Sequence, residues 1–102
     1  MAQKEIKKAD LHKKLGTFQY AQQGDVKNEI ILYFEHGSIC QSYTSLVAYK
    51  VQEEGHMSRL YFSRKHDYSN TTNKHVLRFC GLTLPERRKA LENGEATMVI
   101  DL

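Results

Sequence analysis

Apolar and polar residues alternate with period two through Thr17-Phe18-Gln19-Tyr20-Ala21-Gln22 and stop at Gly24-Asp25, which predicts a strand closed by a turn. Two further alternating runs, Glu29 to Glu35 and Ser38 to Tyr43, flank His36-Gly37, a pair suited to a two-residue hairpin loop because Gly takes positive φ freely and His tolerates it. Setting Glu35 opposite Ser38 pairs Phe34 with Ile39, Leu32 with Gln41 and Ile30 with Tyr43, so most of the apolar weight lies on one face. Tyr33 with Cys40 and Ile31 with Ser42 fall on the other face, which then needs partial cover from helices.

The second of these strands continues through Leu46-Val47-Ala48-Tyr49-Lys50-Val51, with a bend or bulge to explain the polar run Gln41 to Ser45. Glu53-Glu54-Gly55-His56 reads as the next turn and Arg59 to Ser63 as the fourth strand. There the period changes. Thr72, Val76, Phe79 and Cys80 follow helical spacing, with Ser69 or Asn70 as N-cap and Gly81 as the stop. Thr83-Leu84-Pro85-Glu86 has the form of a capping box with Pro in the first turn, opening a second helix that ends at Asn93-Gly94 before a last strand over Ala96 to Ile100. At the other end, Lys4 to Lys14 offers only Ile6, Leu11 and, just beyond, Leu15 as apolar anchors, and reads as a short docked helix or a frayed basic arm. The expected fold is α+β: a mainly antiparallel sheet of four to five strands, two helices from the C-terminal half packed on one face, and a possible short N-terminal helix. The domain division is an arm over 1–14 and a single domain over 15–102.

Composition narrows the class. The chain has 102 residues, 40% of them hydrophobic, with ten aromatics including six Tyr, enough for one core and too apolar for a disordered chain. Its longest apolar stretches fall far below the roughly 20 residues of a membrane span, and the Lys-rich start lacks the apolar core of a secretion signal, so a cytoplasmic, membrane-free location is expected. Cys40 and Cys80 stand 40 positions apart, which fits reduced, buried thiols better than a disulfide framework or a zinc site. The net charge of +3 is concentrated. Residues 1–20 carry five Lys against Glu5 and Asp10, and residues 58–80 carry Arg59, Arg64, Lys65, Lys74 and Arg78 against Asp67.

The second basic block joins a strand end to a helix start, where free backbone N–H groups and the helix dipole favour an anion. Arg64, Lys65, Tyr68, Ser69, Asn70, Thr71, Thr72, Lys74, His75 and Arg78 are the candidate binding residues. Thr71, Lys74, His75 and Arg78 follow one another at i, i+3, i+4 and i+7, a polar basic ridge opposite Val76 and Phe79. The ordinary alternative is a capped helix with solvated charges on its outer face.

The run Asp67-Tyr68-Ser69-Asn70-Thr71-Thr72-Asn73-Lys74-His75, followed by Phe79-Cys80-Gly81 and a helix ending in Asn93-Gly94-Glu95, resembles a family of small domains from phages and mobile elements with a Tyr-Ser-x-Thr-Thr-x-Lys-His type motif. Ser42-Tyr43 and Val47-Ala48 match an upstream strand of that family, so the resemblance spans about residues 37–96. It implies a phage or plasmid accessory protein of unknown function and carries over no catalytic residue.

An enzyme would draw on His66 or His75 as base, Ser69, Thr71 or Tyr68 as nucleophile, and Asp67 to orient the base. No glycine elbow precedes Ser69 and no Gly-rich phosphate loop occurs, so no catalysis is expected. A metal site from His66, Asp67 and His75 matches no compact ligand spacing; no metal or cofactor is expected. Nucleic-acid binding is supported by the basic blocks, by Tyr61, Phe62 and Tyr68, and by Arg87-Arg88-Lys89, without any recognition signature. Protein binding is supported by the Tyr content and the polar segment Gln41 to Ser45. The reading favours a non-catalytic accessory protein that binds a host protein, as inhibitor or modulator of a defence or regulatory system, over one that binds DNA or RNA through residues 64–78.

Overall fold

The computed structural model describes residues 3–53 and 58–102, which run as β1 (Lys4–Ile6), α1 (Lys8–Leu15), β2 (Phe18–Gln23), β3 (Glu29–Phe34), β4 (Gly37–Ser42), β5 (Ser45–Val51), β6 (Arg59–Ser63), α2 (Asn70–Cys80), α3 (Leu84–Glu92) and β7 (Thr97–Val99). The expected turn over Glu53 to His56 falls mostly outside these residues. All the strands belong to one sheet in the order β1-β7-β6-β5-β4-β3-β2. Strands β2 to β6 form an antiparallel meander; α2 and α3 then carry the chain across one face so that β7 returns parallel to β6, and β1 adds parallel to β7.

This corrects the expected sheet of four to five mainly antiparallel strands with helices on one face. The sheet is mixed and seven-stranded, and three helices cover both of its faces. One additional strand comes from the polar run Gln41 to Ser45. The chain does not merely bend there but reverses through Tyr43-Thr44, with Ser42 opposite Ser45 and a register shift between Cys40 and Gln41. Another is β1, three residues held by parallel pairing with a strand some ninety positions away.

The β3–β4 hairpin turns at Glu35-His36 rather than His36-Gly37, so Leu32 faces Ile39 and Ile31 faces Cys40. The slip of two from the expected register leaves the side chains of β3 and of β4 up to Ser42 on their expected faces because the strand period is two. Gly37 serves close approach rather than positive φ. A Cβ there would collide with the Lys50 carbonyl oxygen and come within 2.9 Å of Leu15 Cδ2.

The sheet separates two apolar clusters. Cys40, Ala48 and Phe62 pack with Val76 of α2 and Ala90 and Leu91 of α3 on one face. Ile39, Tyr49, Val51, Tyr61 and Val99 pack with Leu11 and Leu15 of α1 on the other. The central strands are therefore buried on both sides, which explains why β5 and β6 read as nearly continuous apolar runs. Helix α1 is eight residues long, too short to persist alone, and its N-cap, Lys7, makes no side-chain cap bond. Tertiary contacts replace both deficits: Leu11 and Leu15 are fully buried, and the Asp101 carboxylate accepts the Lys8 N–H at 2.6 Å.

Leu11→Ala is expected to cost about 2–5 kcal/mol in urea unfolding, as buried leucines do; a loss below about 1 kcal/mol would show that α1 does not cover the sheet.

Candidate functional site

Helix α2 begins where local chemistry demands it. Ser69 has extended backbone geometry and its hydroxyl accepts the Thr72 N–H at 3.1 Å, while Gly81 ends the helix at φ 77° with its N–H on the Leu77 carbonyl. The face this start presents to the sheet is Thr72, His75 and Val76, with Phe79 half-buried beyond them. His75 is fully buried, so the expected outward ridge of Thr71, Lys74, His75 and Arg78 does not exist. The spacing was sound, but Ser42 at the end of β4 supplies a polar partner that draws the imidazole inward.

Ser42 and His75 meet at 2.7 Å between Oγ and Nδ1. Thr72 Oγ1 lies 3.2 Å from the same Ser42 oxygen, and Ser69 donates its hydroxyl to Thr72 Oγ1 at 3.1 Å. Each hydroxyl has one proton and two acceptor sites, so two directions satisfy these contacts: Thr72 to Ser42 and Ser42 to His75 Nδ1, or His75 Nδ1–H to Ser42 and Ser42 to Thr72. A positively charged ring would carry a proton on both nitrogens, and Nε2 is buried with no hydrogen-bond acceptor among the described residues, so the site suits a neutral His75. Burial, assisted by Arg78, holds His75 below its ordinary pKa, with Glu29 opposing, and so favours that neutral form.

Above the network lies a cleft of about 490 Å³. One wall is the β4–β5 turn, Ser42 to Ser45; the other is Lys65 and Tyr68 from the loop after β6 with Ser69, Thr71 and Thr72 from α2. Tyr43 stands at φ 57°, a left-handed conformation that costs a non-glycine residue about 1–2 kcal/mol. Its N–H donates to the Asn28 carbonyl at 2.8 Å and its own carbonyl accepts from the Gln41 side chain at 2.9 Å. The strained turn leaves Tyr43 half exposed, and Tyr68 is 80% exposed.

Of the candidate residues, Lys65, Tyr68, Ser69, Thr71 and Thr72 line this cleft, and His75 supports it through Ser42. Arg64, Asn70 and Lys74 are exposed and outside its lining. Arg78 belongs to a second hollow of about 300 Å³ with Tyr33 and Lys50, where its Nε pairs with the buried Glu29 carboxylate at 3.4 Å. The turn residues Tyr43 and Thr44, read from sequence as strand, are the cleft residues that periodicity misplaced; the polar run around them carried the signal.

A second buried polar knot holds α3. Arg87 is fully buried, and one guanidinium nitrogen donates to both His66 Nδ1 and the His66 carbonyl at 3.0 Å while the other donates to Asn73 Oδ1. Arg87 is thus removed from the basic surface suggested by Arg87-Arg88-Lys89, and Arg88 pairs with Asp67 at 3.3 Å. His66 and His75 sit in separate networks, and among the described residues no three His, Cys, Asp or Glu side chains converge to hold a metal ion. Among them, too, no helix is long and apolar enough to cross a membrane.

Burial lowers the pKa of His66, with Arg87 adding to it and Asp67 opposing, and of His12, with Lys8 adding and Asp101 opposing. Together with His75 these groups take up fewer protons folded than unfolded as pH falls below the ordinary histidine value of about 6.5. Stability present at pH 7.5 is therefore lost on acidification through that region, above the range where carboxylates titrate. Urea midpoints at pH 7.5 and 5.5 check this: a lower midpoint at 5.5 is expected, and an equal or higher one contradicts the buried, neutral histidines.

No curated protein and no solved structure matches the chain. A family model does, over residues 3–94, nearly the whole sheet together with all three helices, and by that match the chain belongs to the family of unknown function DUF8033.

Proposed function

We propose that the protein acts by binding a protein partner at the cleft between the β4–β5 turn and the start of α2, without catalysis. The observation that carries this reading is the pair of exposed tyrosines, Tyr43 and Tyr68, standing on a concave surface whose floor is immobilised by the Ser69–Thr72–Ser42–His75 chain. Large, rigid aromatic groups around a preformed hollow are the residues that dominate protein interfaces. Lys65 on the cleft wall and the Asn70 and Thr71 N–H groups, which lack partners inside the helix, favour an acidic side chain in the segment that docks. The motif resemblance to phage and mobile-element domains points to a host protein, with inhibition or modulation of a defence or regulatory system as the consequence.

Catalysis is disfavoured by the same geometry. Ser42 is 2% exposed and hydrogen-bonded to a fully buried imidazole, so this Ser–His pair is closed to substrate. Nucleic-acid binding is disfavoured by the fate of the basic block. Arg59 donates to Thr97 and to the Gly94 carbonyl, Arg78 pairs with Glu29, Arg88 with Asp67, and Arg87 is buried, which leaves Arg64, Lys65, Lys74 and Lys89 as exposed cations outside these pairings.

Wild type, Tyr68→Ala and Lys65→Glu, immobilised and exposed to nuclease-treated host extract, test the reading. A protein retained in stoichiometric amount by wild type and about tenfold less by either variant is expected. Retention that ignores both substitutions, or no retained protein, overturns it; binding abolished by nuclease and falling steeply with salt would establish the nucleic-acid alternative instead.

A further inference from the structure

The two edges of the sheet are built differently. At one end β1 offers three residues, two of them the charged Lys4 and Glu5, a short and charged edge of the kind that discourages further pairing. At the other end β2 runs for six residues, Phe-Gln-Tyr-Ala-Gln-Gln, all exposed, with no charge and no proline. Its one irregularity, a register shift between Phe18 and Tyr20, lies at its start and leaves Tyr20 to Gln23 in regular pairing. We infer that β2 is the pairing edge for a second copy of this chain, joining two sheets antiparallel across a two-fold axis.

The backbone is set for it. The Gly24 N–H donates to the Glu29 carbonyl, and antiparallel alternation then turns Gln22 and Tyr20 toward β3 and leaves the N–H and C=O of Ala21 and Gln23 pointing outward. Side chains flank this edge on both faces. Phe18 packs edge-on against Phe34 at 5.4 Å and Tyr20 stacks on Tyr33 at 4.7 Å, yet Phe18 and Tyr20 each remain 52% exposed, surface that a neighbouring strand would cover.

The lack of charge on β2 suits this edge to its own copy. A neutral strand in a chain of net charge +3 meets its own copy without apposing like charges. Antiparallel pairing about a two-fold beside Ala21 sets Ala21 opposite its own copy, where the two residues exchange both backbone hydrogen bonds. A six-residue strand pair with two half-exposed aromatics per copy is a small contact, at the low end of specific interfaces, so the dimer is weak and depends on concentration.

Sedimentation equilibrium between about 10 μM and about 1 mM should show wild type passing from monomer to dimer, with amide protection of Ala21 and Gln23 rising in parallel. Ala21→Pro removes an outward N–H without removing a bond to β3, and Ala21→Lys sets two ammonium groups face to face. Each should weaken association at least tenfold, and the Lys variant decides the matter if the Pro variant does not fold. Wild type that stays monomeric throughout, or a dimer untouched by the substitutions, overturns the inference, as does dimerisation without added protection at Ala21 and Gln23.

Discussion

The hydrogen bond between Ser42 and His75 joins the last residue of β4 to the second turn of α2, and it is made where both groups are out of water. Breaking it would leave Ser42 its contact with Thr72 but the buried imidazole nitrogen unpaired, at about 1–3 kcal/mol. It can form only if Thr72, Val76 and His75 all face the sheet, which sets the rotation of α2 about its axis. That rotation places the capped start of the helix across from the β4–β5 turn, and so creates the cleft. The strained backbone of Tyr43 is tolerated for the same reason: hydrogen bonds to Asn28 and Gln41 hold the turn while β4 is held by α2.

The remaining polar interactions inside the molecule extend this arrangement to the other helices. Arg87 ties α3 to the β6–α2 loop through His66 and to α2 through Asn73, with no carboxylate among its hydrogen-bond partners in the described residues. On the opposite face Asp101 closes the open end of α1 and His12 reaches Tyr49 at 2.9 Å. Three histidines thus serve as neutral hydrogen-bonding groups at the junctions between helix and sheet. Charge that reads as a basic surface in the sequence is spent in part on internal fastening, which is why the exposed cations near the cleft are few.

Legibility in the sequence followed the range of the interaction. Ser69, Gly81 and the Thr83-Leu84-Pro85-Glu86 box mark both long helices because capping is local chemistry that four residues can specify. The faces of β3 and β4 were legible even with the hairpin register displaced, since alternation survives a slip of two. By contrast β1 owes its existence to β7, and the turn at Tyr43-Thr44 contains none of the glycine or asparagine that normally accommodates positive φ. His75 and Arg87 were placed outside because polarity alone assigns them to water. Their burial depends on Ser42, His66 and Asn73, partners that only the assembled fold brings near. The candidate residues from Lys65 to Thr72 were found together because helix start and cleft wall coincide; Arg78 was separated from them by its pairing with Glu29.

The central claim is that a neutral His75, hydrogen-bonded to Ser42 through Nδ1, fastens α2 to the sheet beneath the cleft. Nitrogen-15 chemical shifts of the imidazole rings, followed from pH 8 to pH 5.5, measure this directly. The structure predicts that His75 shows a single tautomer, fixed by its Nδ1 contact with Ser42, and stays neutral below the ordinary histidine midpoint of about 6.5. A His75 ring that averages between tautomers and titrates at that ordinary midpoint would contradict it.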